Sequence, residues 1–514
     1  MASRRDELNA YTFAKRRTLA SFLQPSPSGS EEGAPRPLRA IVPGAVVGIV
    51  VLAVFGAVGL FSPTAPKGWD EAGGHVIVAS DSTTRYVVLK TDGKKQLHPV
   101  LNMASAKLLL DPDKDGVITV DEGVLDSGEP PHGATIGIPY APDRLPGSGD
   151  AEQAKRWAVC ERPGPGGRAV QKAAFVLAEK DWRRTEGGNR LTGGDLMYVV
   201  GPDGTSTYVV DSDGSAYPLA DPADKELLKA LDTQGRDPQR VSQEWLDTLH
   251  KGDPIDIPEI KGTPGATAGA SDALGQYDKV GMVIKAYDGR RMQYYVVQSG
   301  TVARVSEFTA TLLLNSGALV DVGQAGEAQQ VSPGAVVDSV EFEEQRNWPS
   351  YRPKTVNDAT SATSATPATS GRNTVCNVLR SVNAKNGSTT LSTWAGTDFP
   401  APLPTGSSSA YVTPGSGQLY RQFQGSETKA GGVFLVTDTG LRYALQSNSD
   451  SATDDKGIGT SDKKREQQLS ESRIAQTRLG YENVEPSPVP VQWSTFLPTG
   501  PRLSESAARQ PQGS

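Results

Sequence analysis

The chain has 514 residues, 37% of them apolar and 22% charged, with a net charge of −7. That acidic balance speaks against nucleic acid or an anionic lipid surface as partner for the bulk of the chain. Its four histidines (His75, His98, His132, His250) stand in no metal-type spacing.

Residues 1–23 read as a short amphipathic helix. Arg5 to Leu23 contains no Pro or Gly, and Leu8, Tyr11, Lys15, Leu19 and Phe22 recur at helical spacing. Such a stripe needs an apolar surface to lie against, either a membrane face, given Lys15, Arg16 and Arg17, or a groove in another protein. Residues 24–39 follow as a Pro- and Ser-rich flexible linker.

Residues 40–61 form an uncharged apolar run of 22 residues. About 20 residues at a helical rise cross the hydrocarbon core of a bilayer, so a transmembrane helix is predicted here. A signal peptide is the rival reading, but no A-x-A site follows the run. Gly44 and Gly48 make a G-x-x-x-G spacing suited to helix pairing, a common pattern in Gly-rich spans. Residues 1–39 carry seven basic and four acidic side chains, net +3, which leaves −10 beyond them. The positive-inside rule then places the N-terminus in the cytoplasm and the long acidic remainder outside.

The outer part repeats a hairpin phrase. It occurs as Tyr86-Val-Val-Leu-Lys-Thr-Asp-Gly93, Tyr208-Val-Val-Asp-Ser-Asp-Gly214, Tyr295-Val-Val-Gln-Ser-Gly300 and Phe434-Leu-Val-Thr-Asp-Thr-Gly440. Each has β-branched or aliphatic residues before a glycine turn, and a short helix is expected to pack back on it. Two strand-like segments, Ala158-Val-Cys160 and Thr374-Val-Cys376, each fall between two copies. Matching marks are separated by 209, 216 and 226 residues, so the chain reads as an internal duplication. An isolated cysteine pair outside the membrane is expected to be bridged, and Cys160 can pair only with Cys376.

The expected fold is mainly β with small helices (α+β): one transmembrane helix, then four repeat units around a disulfide-linked central module. The units are placed at 69–127, 193–252, 275–325 and 429–502. The central module takes residues 128–192 and 326–428, and residues 503–514 are read as a disordered tail. Ala359–Ser370 and Ser447–Ser472 are polar tracts expected as surface insertions.

Chemistry-bearing motifs are few. No G-x-x-x-x-G-K-[ST] phosphate loop, G-x-S-x-G or H-E-x-x-H occurs, so no catalytic residue is assigned and ATP hydrolysis is not expected. The sharpest match is Asp111 to Glu122, which follows the EF-hand loop. Asp111, Asp113, Asp115, Val117, Thr119 and Glu122 are the candidate calcium ligands, with Gly116 at the turn. An entering helix fits residues 104–110, whereas Gly123, Gly128, Pro130 and Pro131 oppose an exit helix. The alternative is an acidic turn of the same pattern.

The sequence resembles EccB, a single-pass subunit of type VII secretion systems. The resemblance rests on Tyr11-x-Phe13-x-x-Arg16-Arg17, the apolar run, Leu97-His-Pro-Val-Leu-Asn-Met-Ala-Ser-Ala106 and Thr135-Ile-Gly-Ile-Pro139. It continues through Trp157-Ala-Val-Cys160, Gly480-Tyr-x-x-Val-Glu-Pro486 and Leu497-Pro-Thr-Gly-Pro501. The resemblance implies an elongated, disulfide-linked outer region and assembly with EccC, EccD and EccE to export WXG100-type proteins. It also raises peptidoglycan contact by the outer repeats; self-association is expected as well, and the motifs call for no required cofactor. Leu8, Tyr11, Phe13, Arg16, Arg17, Leu19 and Phe22 are the expected partner-binding residues. The rival readings are a stand-alone membrane-anchored wall-binding protein and an extracytoplasmic ATPase.

Overall fold

A computed structural model describes residues 3–23, 38–61, 65–91, 93–111, 114, 116–164, 170–324, 326–336, 339–342, 346–358, 372–404, 409–445 and 472–512. The chain forms two compact units, one of residues 1–67 with 120–127, the other of 68–119 with 128–514. The tracts 359–370 and 447–471 lie outside the described residues.

The smaller unit is helical. Arg4–Leu23 is a 20-residue helix whose first turn carries Asp6 and Glu7, the favourable sign at a helix N-terminus. Ser3 N–H donates to the Asp6 carboxylate at 3.1 Å. Leu38–Phe61 is a second helix of 24 residues. Among the described residues no helix is long and apolar enough to cross a membrane, although the backbone of this one runs through the whole apolar segment.

The larger unit repeats one design four times. Each copy begins as a three-stranded antiparallel meander. Its middle strands are Arg85–Thr91, Thr207–Val210, Met292–Gln298 and Val433–Val436, which hold the four copies of the hairpin phrase. The turn glycines that follow, Gly93, Gly214, Gly300 and Gly440, all have φ between 76° and 81°. Only glycine takes that conformation freely, which is why the phrase ends as it does. The next helix is N-capped by Asn102, Asp224 and Ser306 in the first three copies, each side chain accepting a backbone N–H. Residues 472–478 form the helix of the fourth.

The sequence phrase accounts for only part of the design. In the later three copies a short strand returns parallel to the first: Gln239–Arg240, Gln329–Gln330 and Ser487–Pro490. Another segment then runs parallel to the third strand, as His250–Lys251, as Val340–Glu341, and as single bridges at His132 and Thr499. The third copy therefore extends to Glu341, beyond the expected limit at 325. Two-residue edge strands carry no periodic pattern, so the sequence offers no sign of them.

The central sheet is assembled from both halves of the chain. Its order is Thr389–Gly396, Thr374–Val382, Arg156–Pro163, Val170–Leu177, Ala410–Val412. Two hairpins meet antiparallel, with Cys160 directly opposite Cys376 and joined to it across 216 residues. Alternate residues serve two cores. Trp157, Val159, Val176 and Val375 pack with the second and fourth copies, whereas Ala158, Cys160, Phe175 and Val378 fill the opposite face. The first and fourth copies share a further core, as do the second and third.

Residues 503–512 correct the expectation of a disordered tail. Leu503 and Ala508 are fully buried in the core of the first and fourth copies. Ser504 caps the helix Glu505–Ala508, Arg478 pairs with Glu505 at 3.1 Å, and Gln512 donates to the Gly137 carbonyl. Two apolar anchors within a polar stretch suffice because the surrounding polar groups find partners.

Candidate functional site

On the N-terminal helix the apolar side chains face outward. Leu8 is 64% exposed and Phe22 89%, and Tyr11, Phe13 and Leu19 are also exposed. Tyr11, Ala14, Lys15, Thr18, Leu19 and Phe22 lie together along this exposed face. At 100° per residue, Leu8, Tyr11, Lys15, Leu19 and Phe22 share one stripe, while Phe13 projects from roughly the opposite side. The seven partner-binding candidates thus fall on more than one face, with Arg16 and Arg17 outside the stripe. On the second helix, Gly44 and Gly48 have open space where a Cβ would be, leaving a shallow face for another helix to approach.

The larger unit concentrates its polar chemistry at joints between copies. Glu161, fully buried beside Cys160, accepts the Ser242 backbone N–H at 2.8 Å and the Ser242 hydroxyl. Burial pushes its carboxyl above the usual range despite these two donors. Asn377, beside Cys376, donates to the Trp245 carbonyl and the Thr248 hydroxyl. The residue after each cysteine therefore ties the central sheet to the second copy.

A second joint centres on Asp150, which accepts from Lys155, Ser416 and Gly417. Burial raises its carboxyl, but these donors outweigh that and hold it below the ordinary value. Trp157 adds an indole hydrogen bond to Gln418 at 2.9 Å and meets the Tyr420 ring edge-on at 5.2 Å. Tyr420 is fully buried and its phenol is pushed up to about 12. These contacts hold copies together.

The calcium candidates are only partly described, because Asp113 and Asp115 lie outside the described residues. Asp111 N–H donates to the Gly73 carbonyl, its carboxylate lies against Gly73, and Val76 N–H donates to Gly116. Val117–Val120 is a strand containing Val117 and Thr119, and Glu122 opens a single helical turn, Glu122–Leu125. The entering helix is Met103–Leu108. Among the described residues no group of three or more His, Cys, Asp or Glu could hold a metal ion.

Nearby, a pocket of about 710 Å³ is lined by Asp70, Glu71 and Asp111 with Lys90, Lys95 and Arg509. Its Lys95 is held by Asp70 at 2.7 Å, and its lining holds three acids and three bases. His98 is buried with Nδ1 against the Ala134 carbonyl, a packing role matching its place in the Leu97–Ala106 motif.

The sequence did not reveal one cluster. Arg156, Arg190 and Arg380 converge on Glu186 at 2.7, 3.1 and 2.9 Å. Arg156 and Arg380 are far from Glu186 in the chain, and the only local sign is the basic run 183–190, which holds Glu186 and Arg190, in an acidic protein.

Comparison with known proteins agrees with this architecture. The profile of the family described as "Type VII secretion system ESX-1, transport TM domain B" matches residues 1–513. The ESX-3 secretion system ATPase EccB3 of Mycobacterium tuberculosis is 27% identical over 512 residues, covering 92% of this chain and 83% of that protein. The ESX-1 secretion system ATPase EccB1 of Mycolicibacterium smegmatis is 26% identical over 275 residues, and the match spans only about half of either chain, 54% of each. In fold, the chain is similar to one in an intact ESX-5 inner membrane complex, with TM-score 0.55, 20% identity, and coverage of 100% and 96%. It is likewise similar to the EccB3 dimer from the ESX-3 core complex, with TM-score 0.54, 22% identity, and coverage of 85% and 99%. With the family profile matched across residues 1–513 and four sheet units around a disulfide-joined centre, this chain belongs to the EccB family of type VII secretion proteins.

Proposed function

We propose that this chain is a single-pass structural subunit of a type VII secretion inner-membrane complex, where it scaffolds export of WXG100-type proteins by recognition and not by catalysis. The observation that carries the reading is the family match across residues 1–513, which takes in the basic N-terminal helix, the apolar helix and all four sheet units in order. In this reading Leu38–Phe61 spans the inner membrane and the net +3 of residues 1–39 keeps the N-terminus cytoplasmic. The exposed stripe docks a partner subunit of the EccC, EccD or EccE type. The dimeric state of the similar EccB3 chain in the ESX-3 core complex supports self-association, with the sheet units pairing or bracing against peptidoglycan outside. Calcium at Asp111–Glu122 is a weak structural clip in this proposal, checked by whether millimolar calcium raises the unfolding midpoint of the full-length protein.

The test is recovery of tagged full-length protein from membranes in mild detergent, beside a variant with Leu8, Tyr11, Leu19 and Phe22 changed to Asp. Co-purification of an ATPase and polytopic subunits, lost in the variant, is the expected result. Recovery of the chain alone with wall fragments would replace this reading with a solitary wall-binding anchor.

The word ATPase in the relatives' names motivates a second reading, extracytoplasmic ATP hydrolysis. The chain has no phosphate-binding glycine loop followed by Lys and Ser or Thr, which weighs against it. Saturable phosphate release by homogeneous protein, abolished by charge reversal at Lys90 and Lys95, would favour it over the scaffold.

A further inference from the structure

The Glu186 cluster carries more positive charge than its own carboxylate can neutralise. Three guanidinium groups reach that carboxylate: Arg156 from the start of a central strand, Arg380 from the strand beside it, and Arg190 after a short turn. Arg156 and Arg380 are largely buried, with side chains 11% and 18% exposed, so the two excess charges are poorly solvated. Burial would raise the Glu186 carboxyl, but the Arg380 hydrogen bond and the three charges pull it below the ordinary value. It is therefore ionised, and the imbalance remains.

Two further features set the cluster apart from an ordinary ion pair. Arg380 lies at a β-bulge, where the register of Thr374–Val382 against Thr389–Gly396 shifts between Leu379 and Ser381. A bulge re-aims one side chain away from the strand's alternation, a device recurrent beside binding sites. Arg380 Nε donates to the Ser392 hydroxyl at 2.7 Å and Nη1 pairs with Glu186, yet buried Nη2 finds no acceptor among the described residues. Arg156 Nε and Arg190 Nε are also buried without acceptors. Trp182 stacks on Arg156 at 4.6 Å and its carbonyl accepts from Nη1, which holds that guanidinium in place. Unpaired buried donors on cations are costly to maintain. An anion with several acceptor oxygens would satisfy them.

We propose that Arg156, Arg190 and Arg380 form an oxyanion site for a phosphoryl group, with Glu186 holding the three forks apart. Guanidinium forks match the oxygen geometry of phosphate, and its charge offsets the two-charge excess. The phosphoryl group can be free phosphate or the phosphodiester of a lipid headgroup or surface polymer. The site stands independently of the secretion reading.

The test is equilibrium dialysis of radiolabelled inorganic phosphate against the full-length protein in detergent, at constant ionic strength set by chloride. One saturable equivalent is expected. Arg190→Gln, the most exposed of the three, should weaken binding about tenfold, the size of a lost hydrogen bond to a charged group, with an unchanged unfolding midpoint. Glu186→Gln should act in the opposite sense and tighten binding, because it removes the competing carboxylate. Competition by dimethyl phosphate would identify a diester as the source, and its failure would identify free phosphate. No saturable binding, or equal binding by Arg190→Gln and the parent, overturns the proposal.

Discussion

The two compact units handle apolar side chains in opposite ways. In the helical unit, Leu8, Tyr11, Phe22 and most of Ile41–Phe55 are exposed. In the sheet unit, Trp157, Trp245 and Trp493 are among the largest fully buried side chains. A helix with an uncovered apolar surface is stable only against something else, whether bilayer or partner. The four sheet copies instead bury their apolar residues against each other and the central sheet. The first unit leaves its apolar stripe for its surroundings to cover, whereas the second buries its large aromatic anchors itself.

The largest test of that self-sufficiency is the Cys160–Cys376 bond. Loop-closure entropy for its 216-residue separation predicts a loss of about 5 kcal/mol when both cysteines become Ser. Urea unfolding with and without reductant should show the parent falling to the variant's midpoint, and the variant insensitive to reductant. Next in size is Trp493→Ala, which empties a fully buried site and should cost about 3–5 kcal/mol. The matched change Phe22→Ala, at an 89% exposed ring, should leave the sheet unit's unfolding unchanged. Equal losses from the two would erase the contrast between the units.

A smaller effect separates burial from charge at the joint beside the disulfide. Glu161 has a folded pKa above its unfolded value, so the protonated form favours folding. Its contribution is fully present below the unfolded value of about 4.5 and is lost as pH rises through the higher folded value. Glu161→Gln keeps the volume and removes the titration. It should flatten the fall in stability above pH 4.5, measured by thermal unfolding across that window. An unchanged slope would place the pH dependence elsewhere.

Much of the architecture was legible because it is local. The helix over residues 4–23, the glycine turns at Gly93, Gly214, Gly300 and Gly440, and the strands around the two cysteines each follow from patterns within a dozen residues. Even-spaced marks 209 to 226 residues apart exposed the duplication. The parallel edge strands, the packed segment 503–512 and the extent of the third copy were not legible, because short edges and single anchors such as Leu503 make no periodic signal.

The candidate sites divide along the same line. The stripe of Leu8, Tyr11, Leu19 and Phe22 could be read from helical spacing alone, yet Phe13 proved to project from another side of that helix. Arg156, Arg190 and Arg380 meet only because two hairpins from distant parts of the chain lie antiparallel and a bulge turns one residue toward the other two. By itself the sequence determined the helices, the hairpins, the turn glycines and the single cysteine pairing, since each depends on near neighbours or on there being only one partner. The tertiary structure alone decided which copy packs on which, where Glu161 and Asp150 find their donors, and how three arginines come to share one carboxylate. Those outcomes depend on long-range strand pairing, which no local pattern encodes.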